Sequence, residues 1–216
     1  MAGIASYPPR VVPPPATPPV APPRSTTEPP APQPSRTGVL IGIGTISMSF
    51  AALTSAMVVR QGAAPDWLHF LLPRILYFNT LVLFVSSGTL EWSRRRIAAG
   101  PRGSTSSVEG LAGLSGLYLT LALGLLFVTG QVVAWRQLAA QGLFLSTAPS
   151  SAFFYVLTAL HGLHVMGGLG GLVYVLHRLR GKSGPVPHAA LGAAALYWHF
   201  MDGLWLYLLV ILVTRL

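Results

Sequence analysis

The chain has 216 residues, of which 52% are hydrophobic and only 9% charged, and its mean hydropathy is +0.59. That composition excludes a soluble globular domain and points to an integral membrane protein. The absence of cysteine rules out disulfides, iron–sulfur clusters, thiolate zinc sites and cysteine-ligated copper. The net charge of +9 sits between apolar segments without interleaved aromatics, so it reads as a topology signal, with no nucleic acid as partner.

Residues 1–37 contain thirteen prolines and few large apolar side chains. Runs such as Pro13-Pro14-Pro15 favour extended polyproline conformation and cannot build a core, so a disordered proline-rich tail facing water is expected. No continuous apolar stretch marks a signal peptide here, and a proline-motif docking site is the alternative to a plain tail. Residues 38–216 then form an all-α integral membrane domain, a five-transmembrane-helix bundle with spans at roughly 38–59, 73–92, 109–133, 151–177 and 189–213. Each meets the requirement of ~20 apolar residues for a membrane helix. Breakers separate them: Gly62 to Pro65, Gly100-Pro101-Arg102-Gly103, Pro149, and Gly184-Pro185-Val186-Pro187. No internal repeat is visible, which weakens a transporter built from inverted halves.

Basic residues set the expected orientation. The tail, the 2–3 connection and the 4–5 connection hold Arg10, Arg24, Arg36, Arg94, Arg95, Arg96, Arg102, Arg178, Arg180 and Lys182; the other side holds Arg60, Arg74, Arg136 and Arg215. The positive-inside rule then puts the N-terminus in the cytoplasm and the C-terminus outside.

Along the second span, Asn79, Ser86, Ser87 and Thr89 can hydrogen-bond across helices, and Glu91 stands beside Arg94, Arg95 and Arg96, where pairing is expected. The arginine run also offers contacts to anionic lipid head groups. Gln131 and Arg136 fall near the end of the third span, and Trp67, Trp92 and Trp135 fall where interface anchors sit. In the fourth span His161 and His164 are three apart, and Gly167 and Gly171 form a GxxxG step that admits a close neighbour. In the fifth, Trp198, Asp202 and Trp205 share a stripe, and His199 lies three residues from Asp202, so an intrahelical bond between them is available. A carboxylate in mid-membrane costs about 2.5–3.5 kcal/mol on insertion scales, so Asp202 must be compensated.

The simplest reading of His161, His164, His199 and Asp202 is a satisfied polar cluster joining the last two helices. A haem between two histidines is the first alternative. Counting back from the 4–5 connection at 1.5 Å per residue puts His164 about 25 Å deep and His199 about 18 Å deep, a mismatch of several ångströms. A metal held by all four has suitable ligand types, but no spacing demands it. A transporter using Asp202 as its proton site is a third class. No phosphate loop, thiol nucleophile, serine–histidine–acid set or carboxylate pair appears, so no catalytic residue is assigned.

Three segments, taken in order, resemble subunit III of the haem–copper oxidases. They are Asn79-Thr80 followed by Ser86-Ser87-Gly88-Thr89 and Trp92; Phe153-Phe154 followed by His161-Gly162-Leu163-His164-Val165; and Tyr197-Trp198-His199-Phe200-Met201-Asp202-Gly203-Leu204-Trp205-Leu206. Gly124, Phe127 and Gln131 agree as well. The likeness covers most of 38–216 and looks like the shorter five-helix bacterial form. It implies an accessory subunit of a bacterial cytochrome c oxidase in the inner membrane, without a redox centre of its own. Haem and copper would lie in partner subunits, with subunit I as the direct partner and subunit II also in the complex. The resemblance also implies structural phospholipids in a helix cleft, support of proton uptake and protection during turnover. Quinol oxidase and nitric oxide reductase are the related alternatives. The chain departs from the family's pattern in having no acid within 42–59, Ala134 where a glutamate is common, and no acid between Phe144 and Phe153. Those departures put any proton role of these carboxylates in doubt.

Overall fold

A computed structural model describes residues 34–63, 65–99, 108–180 and 188–216. It contains five helices: α1 (Pro34–Ala63), α2 (Ile75–Ala99), α3 (Val108–Ala140), α4 (Pro149–Arg180) and α5 (His188–Arg215). There is no strand among the described residues. The expected tail up to residue 33, the breakers at 100–103 and 184–187, and Arg10, Arg24, Arg102 and Lys182 lie outside the described residues.

All five helices outrun their apolar cores, because a helix continues into the interface with polar residues that reach water. α1 opens on Pro34, four residues into the segment expected to be tail, using the position where a missing N–H costs nothing. α4 opens likewise on Pro149. α3 continues to Ala140 and ends on Gly142 at φ 78°. There Gly142 N–H donates to Ala139 O at 3.0 Å and Leu143 N–H to Leu138 O at 3.1 Å, closing the helix with two of its last carbonyls satisfied. The longer α3 also moves Gln131 from a helix end into the interior, where it is buried.

Among the described residues four helices are long and apolar enough to cross a membrane: α1, α3, α4 and α5. The second falls short of the same measure, so four of the five expected spans meet it. Its polar side chains face neighbouring helices, and its last two turns carry Glu91, Arg94, Arg95 and Arg96.

α2, α3, α4 and α5 close a ring, each touching the next, and α1 lies outside it against α4 and α5. The α2–α3 seam is the tightest and is built from small residues. Ser93 Oγ donates to Gly113 O at 2.7 Å, Thr89 and Thr120 hydroxyls meet at 2.9 Å, and Asn79 packs on Gly130. A methyl at Gly116 would come within 2.9 Å of the Trp92 ring. Between lipid-soluble helices, such close backbones and hydrogen bonds supply the attraction that burial from water supplies elsewhere. At the far end of the bundle the segment after α1 folds over the end of α5. Phe70 N–H donates to Leu216 O at 2.9 Å, Trp67 Nε1 to Arg215 O at 3.1 Å and Gln61 Nε2 to Arg215 O at 3.2 Å, which satisfies carbonyls that the helix leaves open.

Candidate functional site: the polar centre of the bundle

The residues singled out on α4 and α5 divide among three places. His161 is fully buried at the centre of the ring. Its imidazole lies 5.1 Å from the Trp205 ring and 5.9 Å from Phe127, and those two aromatics stand edge-on at 5.1 Å. Trp205 Nε1 donates to Thr80 Oγ1 on α2 at 3.0 Å, so one box of side chains joins all four ring helices. Neither His161 nitrogen has a hydrogen-bond partner, nor does the buried Gln131 amide.

His164, one turn on, turns toward α1. Its Nδ1–H donates to Leu160 O at 2.7 Å, and its ring lies 5.8 Å from Phe50. Tyr197 Oη donates to the His164 carbonyl at 3.0 Å, tying α5 to α4 at that level.

His199 and Asp202 face α2. The intrahelical bond open to them is replaced by a bridge through Ser87, whose hydroxyl donates to Asp202 Oδ2 and meets His199 Nδ1 at 3.0 Å. The pair therefore joins α5 to α2, across the bundle from His161 and His164. Asp202 is 8% exposed and its Oδ1 has no partner, whereas His199 is exposed at the surface. Because His164 and His199 point to different neighbours, they do not frame a haem between them. Among the described residues no three of His, Cys, Asp and Glu come together as a metal-holding group.

The glycine contacts fall one residue away from the expected step. A methyl at Gly168 would lie 3.1 Å from Tyr197 Cε1 and 3.3 Å from Trp198 Cε3, and one at Gly124 would lie 2.8 Å from Trp198 Cη2. Those two glycines form the seat of the buried Trp198. Gly167 only approaches the Tyr197 hydroxyl at 3.9 Å, and Gly171 meets nothing within 4 Å. Both instead line an apolar groove of about 430 Å³ with Tyr174, Ala190, Ala194 and Tyr197.

Of the arginine run, Arg94 and Arg95 pair with Glu91 at 3.0 and 2.9 Å, and Arg96 lies over Trp92 at 5.5 Å. Trp92 and Trp135 are therefore more than interface anchors, since Trp135 Nε1 also donates to Thr158 Oγ1 at 3.0 Å. Arg180 donates to Tyr118 Oη at 2.6 Å, near the same end of the bundle. The Ser87 hydroxyl, expected to bond across helices, finds its partner in Asp202 only because α2 packs on α5.

A ring of long helices, three of them apolar enough to cross a membrane, with histidine and tryptophan at its centre and an aspartate between α5 and α2 defines a helical membrane protein. The sequence profile described as cytochrome c oxidase subunit III matches residues 45–214. Similar proteins include cytochrome c oxidase subunit 3 of Synechocystis sp., 30% identical over 81% of this chain and 72% of that one. The cytochrome c oxidase subunit 3 of Thermostichus vulcanus is 30% identical over 82% of this chain and 87% of its own. That of Paracentrotus lividus is 38% identical over 65% of this chain, which spans about half (49%) of the relative's length. The chain belongs to the cytochrome c oxidase subunit III family.

Proposed function

We propose that the chain is the accessory third subunit of a bacterial cytochrome c oxidase of aerobic respiration. It packs on catalytic subunit I, with subunit II in the same complex, while haem and copper reside in those partners. All five helices cross the inner membrane, α2 included, because its polar groups are spent on α3 and α5 instead of lipid. The N-terminus is cytoplasmic and the C-terminus outside. The observation that carries this reading is the family match over 45–214, which spans every helix that forms the polar centre.

His161, His164, His199 and Asp202, with Trp198 and Trp205, serve as framework between helices, while Gly167 and Gly171 line an apolar groove. In this role each polar or aromatic group ties one helix to another, and none transfers electrons. At the cytoplasmic end, Arg94, Arg95 and Arg96 hold phospholipid head groups, and acyl chains lie in the apolar grooves. The subunit sustains proton uptake by its partner and protects it during turnover through that lipid and helix framework, since the family's usual carboxylates are missing.

Affinity purification from native membranes in mild detergent tests the assignment. Haem- and copper-bearing subunits that consume oxygen with reduced cytochrome c should accompany the chain. Oxidation of quinol alone, or reduction of nitric oxide by the same preparation, would move it to a related complex. An isolated chain carrying its own haem spectrum would overturn the accessory reading.

A further inference from the structure

The segment between α1 and α2 closes one end of the bundle with its side chains sorted by face. Trp67 and Phe70 turn inward onto Phe153 and Phe154 of α4, with ring centroids 6.3 Å apart in both pairs. Trp67 Nε1 donates to Arg215 O, Phe70 N–H donates to Leu216 O, and His69 Nδ1–H donates to the same Leu216 carbonyl at 3.2 Å. Those bonds fix the backbone, so the residues between the inward ones are turned out: Leu68 is 47% exposed and Leu71 91%. At the same end the α3–α4 connection turns out Phe144 and Leu145, each more than half exposed.

Helix length sets the depth of this surface. α4 has 32 residues and is about 48 Å long, against a hydrocarbon core of about 30 Å, so a centred α4 leaves about 9 Å at each end among the head groups. Phe153 and Phe154 stand four and five residues from its start at Pro149, about 6–8 Å along the helix. The segment packed on them therefore runs along the boundary between head groups and acyl chains. Leu71 lines a hollow of about 320 Å³ with Tyr77, Leu212 and Val213. Val213 and Val210 are exposed on the flank of α5, and Val210 lies six residues below the Leu216 carbonyl, about 9 Å deeper. The apolar flank of α5 thus continues up to Leu71. The polar groups suit the same medium. Arg60, Arg74, Arg136 and Arg215 are exposed at this end, where Asp66, paired with Arg60 at 3.3 Å, is the one acid among the described residues. Guanidinium groups at that level pair with phosphates, and indoles such as Trp67 and Trp135 favour the interface.

We propose that residues 65–73 form an interfacial cap, which lays Leu68 and Leu71 into the acyl boundary of the leaflet at this end while Asp66 stays in water. The lipid surface then holds the segment down over the open carbonyls of α5. Water offers an outward leucine nothing, whereas the acyl boundary accepts it. A water-soluble partner domain would cover Leu68 but not the flank that descends through Val213 to Val210. The inference needs α4 and α5 to span a bilayer and holds whichever complex contains the chain.

Labelling in native membranes, broken so that both faces meet the reagent, tests it. The chain has no cysteine, so single cysteines report on this polypeptide alone when a membrane-impermeant polymer maleimide shifts it on a gel. Asp66→Cys should react readily, and Leu71→Cys several-fold more slowly, close to Val210→Cys. All three positions are exposed, so these variants leave the interior packing intact. Equal rates for Leu71→Cys and Asp66→Cys would overturn the proposal. A benzophenone amino acid at Leu71 then identifies the cover: phospholipid adducts are expected, and adducts confined to another polypeptide would overturn it. Neither result bears on the co-purification that tests the oxidase assignment, so the two can fail separately.

Discussion

Ser87→Ala removes one hydroxyl and with it both links between α2 and the α5 pair. Interhelical hydrogen bonds in membranes average about 0.6 kcal/mol each, so their direct loss is about 1.2 kcal/mol. The larger part comes from what remains: Asp202 is 8% exposed, its Oδ1 already lacks a partner, and the variant strips Oδ2 as well. An unsatisfied buried polar group costs about 1–3 kcal/mol. Together the variant should be destabilised by about 2–4 kcal/mol, a roughly 30- to 900-fold shift toward the dissociated or unfolded subunit. The assay is unfolding of the purified complex by heat or SDS, followed through release of this chain. Asp202→Asn serves as the second corner of a double-mutant cycle, because a neutral amide still accepts from Ser87 and tolerates its loss better. A coupling energy of about 1–2 kcal/mol is expected. A cycle that closes within about 0.3 kcal/mol would refute the bridge, since independent sites add to that accuracy.

Other substitutions separate packing from hydrogen bonding. Gly124→Ala drives a methyl to 2.7 Å from Leu169 Cδ2 and 2.8 Å from Trp198 Cη2, and should cost about 1–3 kcal/mol in the same unfolding assay, whereas Gly171→Ala, with nothing within 4 Å, should be neutral. Trp205→Phe keeps an aromatic ring against His161 and Phe127 but loses the bond to Thr80, and a loss of about 1 kcal/mol is expected together with diminished packing. Glu91→Gln releases Arg94 and Arg95 at the exposed end of α2; stability should change by less than about 1 kcal/mol, and the effect should vanish in high salt.

Much of the helical plan can be read directly from the apolar runs, because an α-helix in lipid must satisfy its own backbone and so must span. The runs do not show where the helices stop. α3 carries on seven residues past Val133 to Ala140, since helical hydrogen bonds continue into the interface after apolarity ends. The polar residues at the centre were conspicuous individually, and so were the hydroxyls of α2. Their pairing was not, because the adjacency of α2 and α5 is a property of the assembled ring and not of the connections between helices. Rotation about each helix axis is equally hidden: the run from Gly167 to Gly171 contains several small residues, and only packing selects Gly168 as the one beneath Trp198. The closure of the segment after α1 over the end of α5 leaves no trace in hydropathy, since it depends on backbone groups.

The most direct measurement compares the catalytic lifetime of the oxidase purified with and without this chain. The initial oxygen-consumption rate per haem should be nearly unchanged on its removal, because the redox centres lie elsewhere, while activity should decay several-fold faster during sustained turnover. Loss of haem or copper on removal, or a lifetime identical in both preparations, would contradict the assignment of this protein as a supporting subunit.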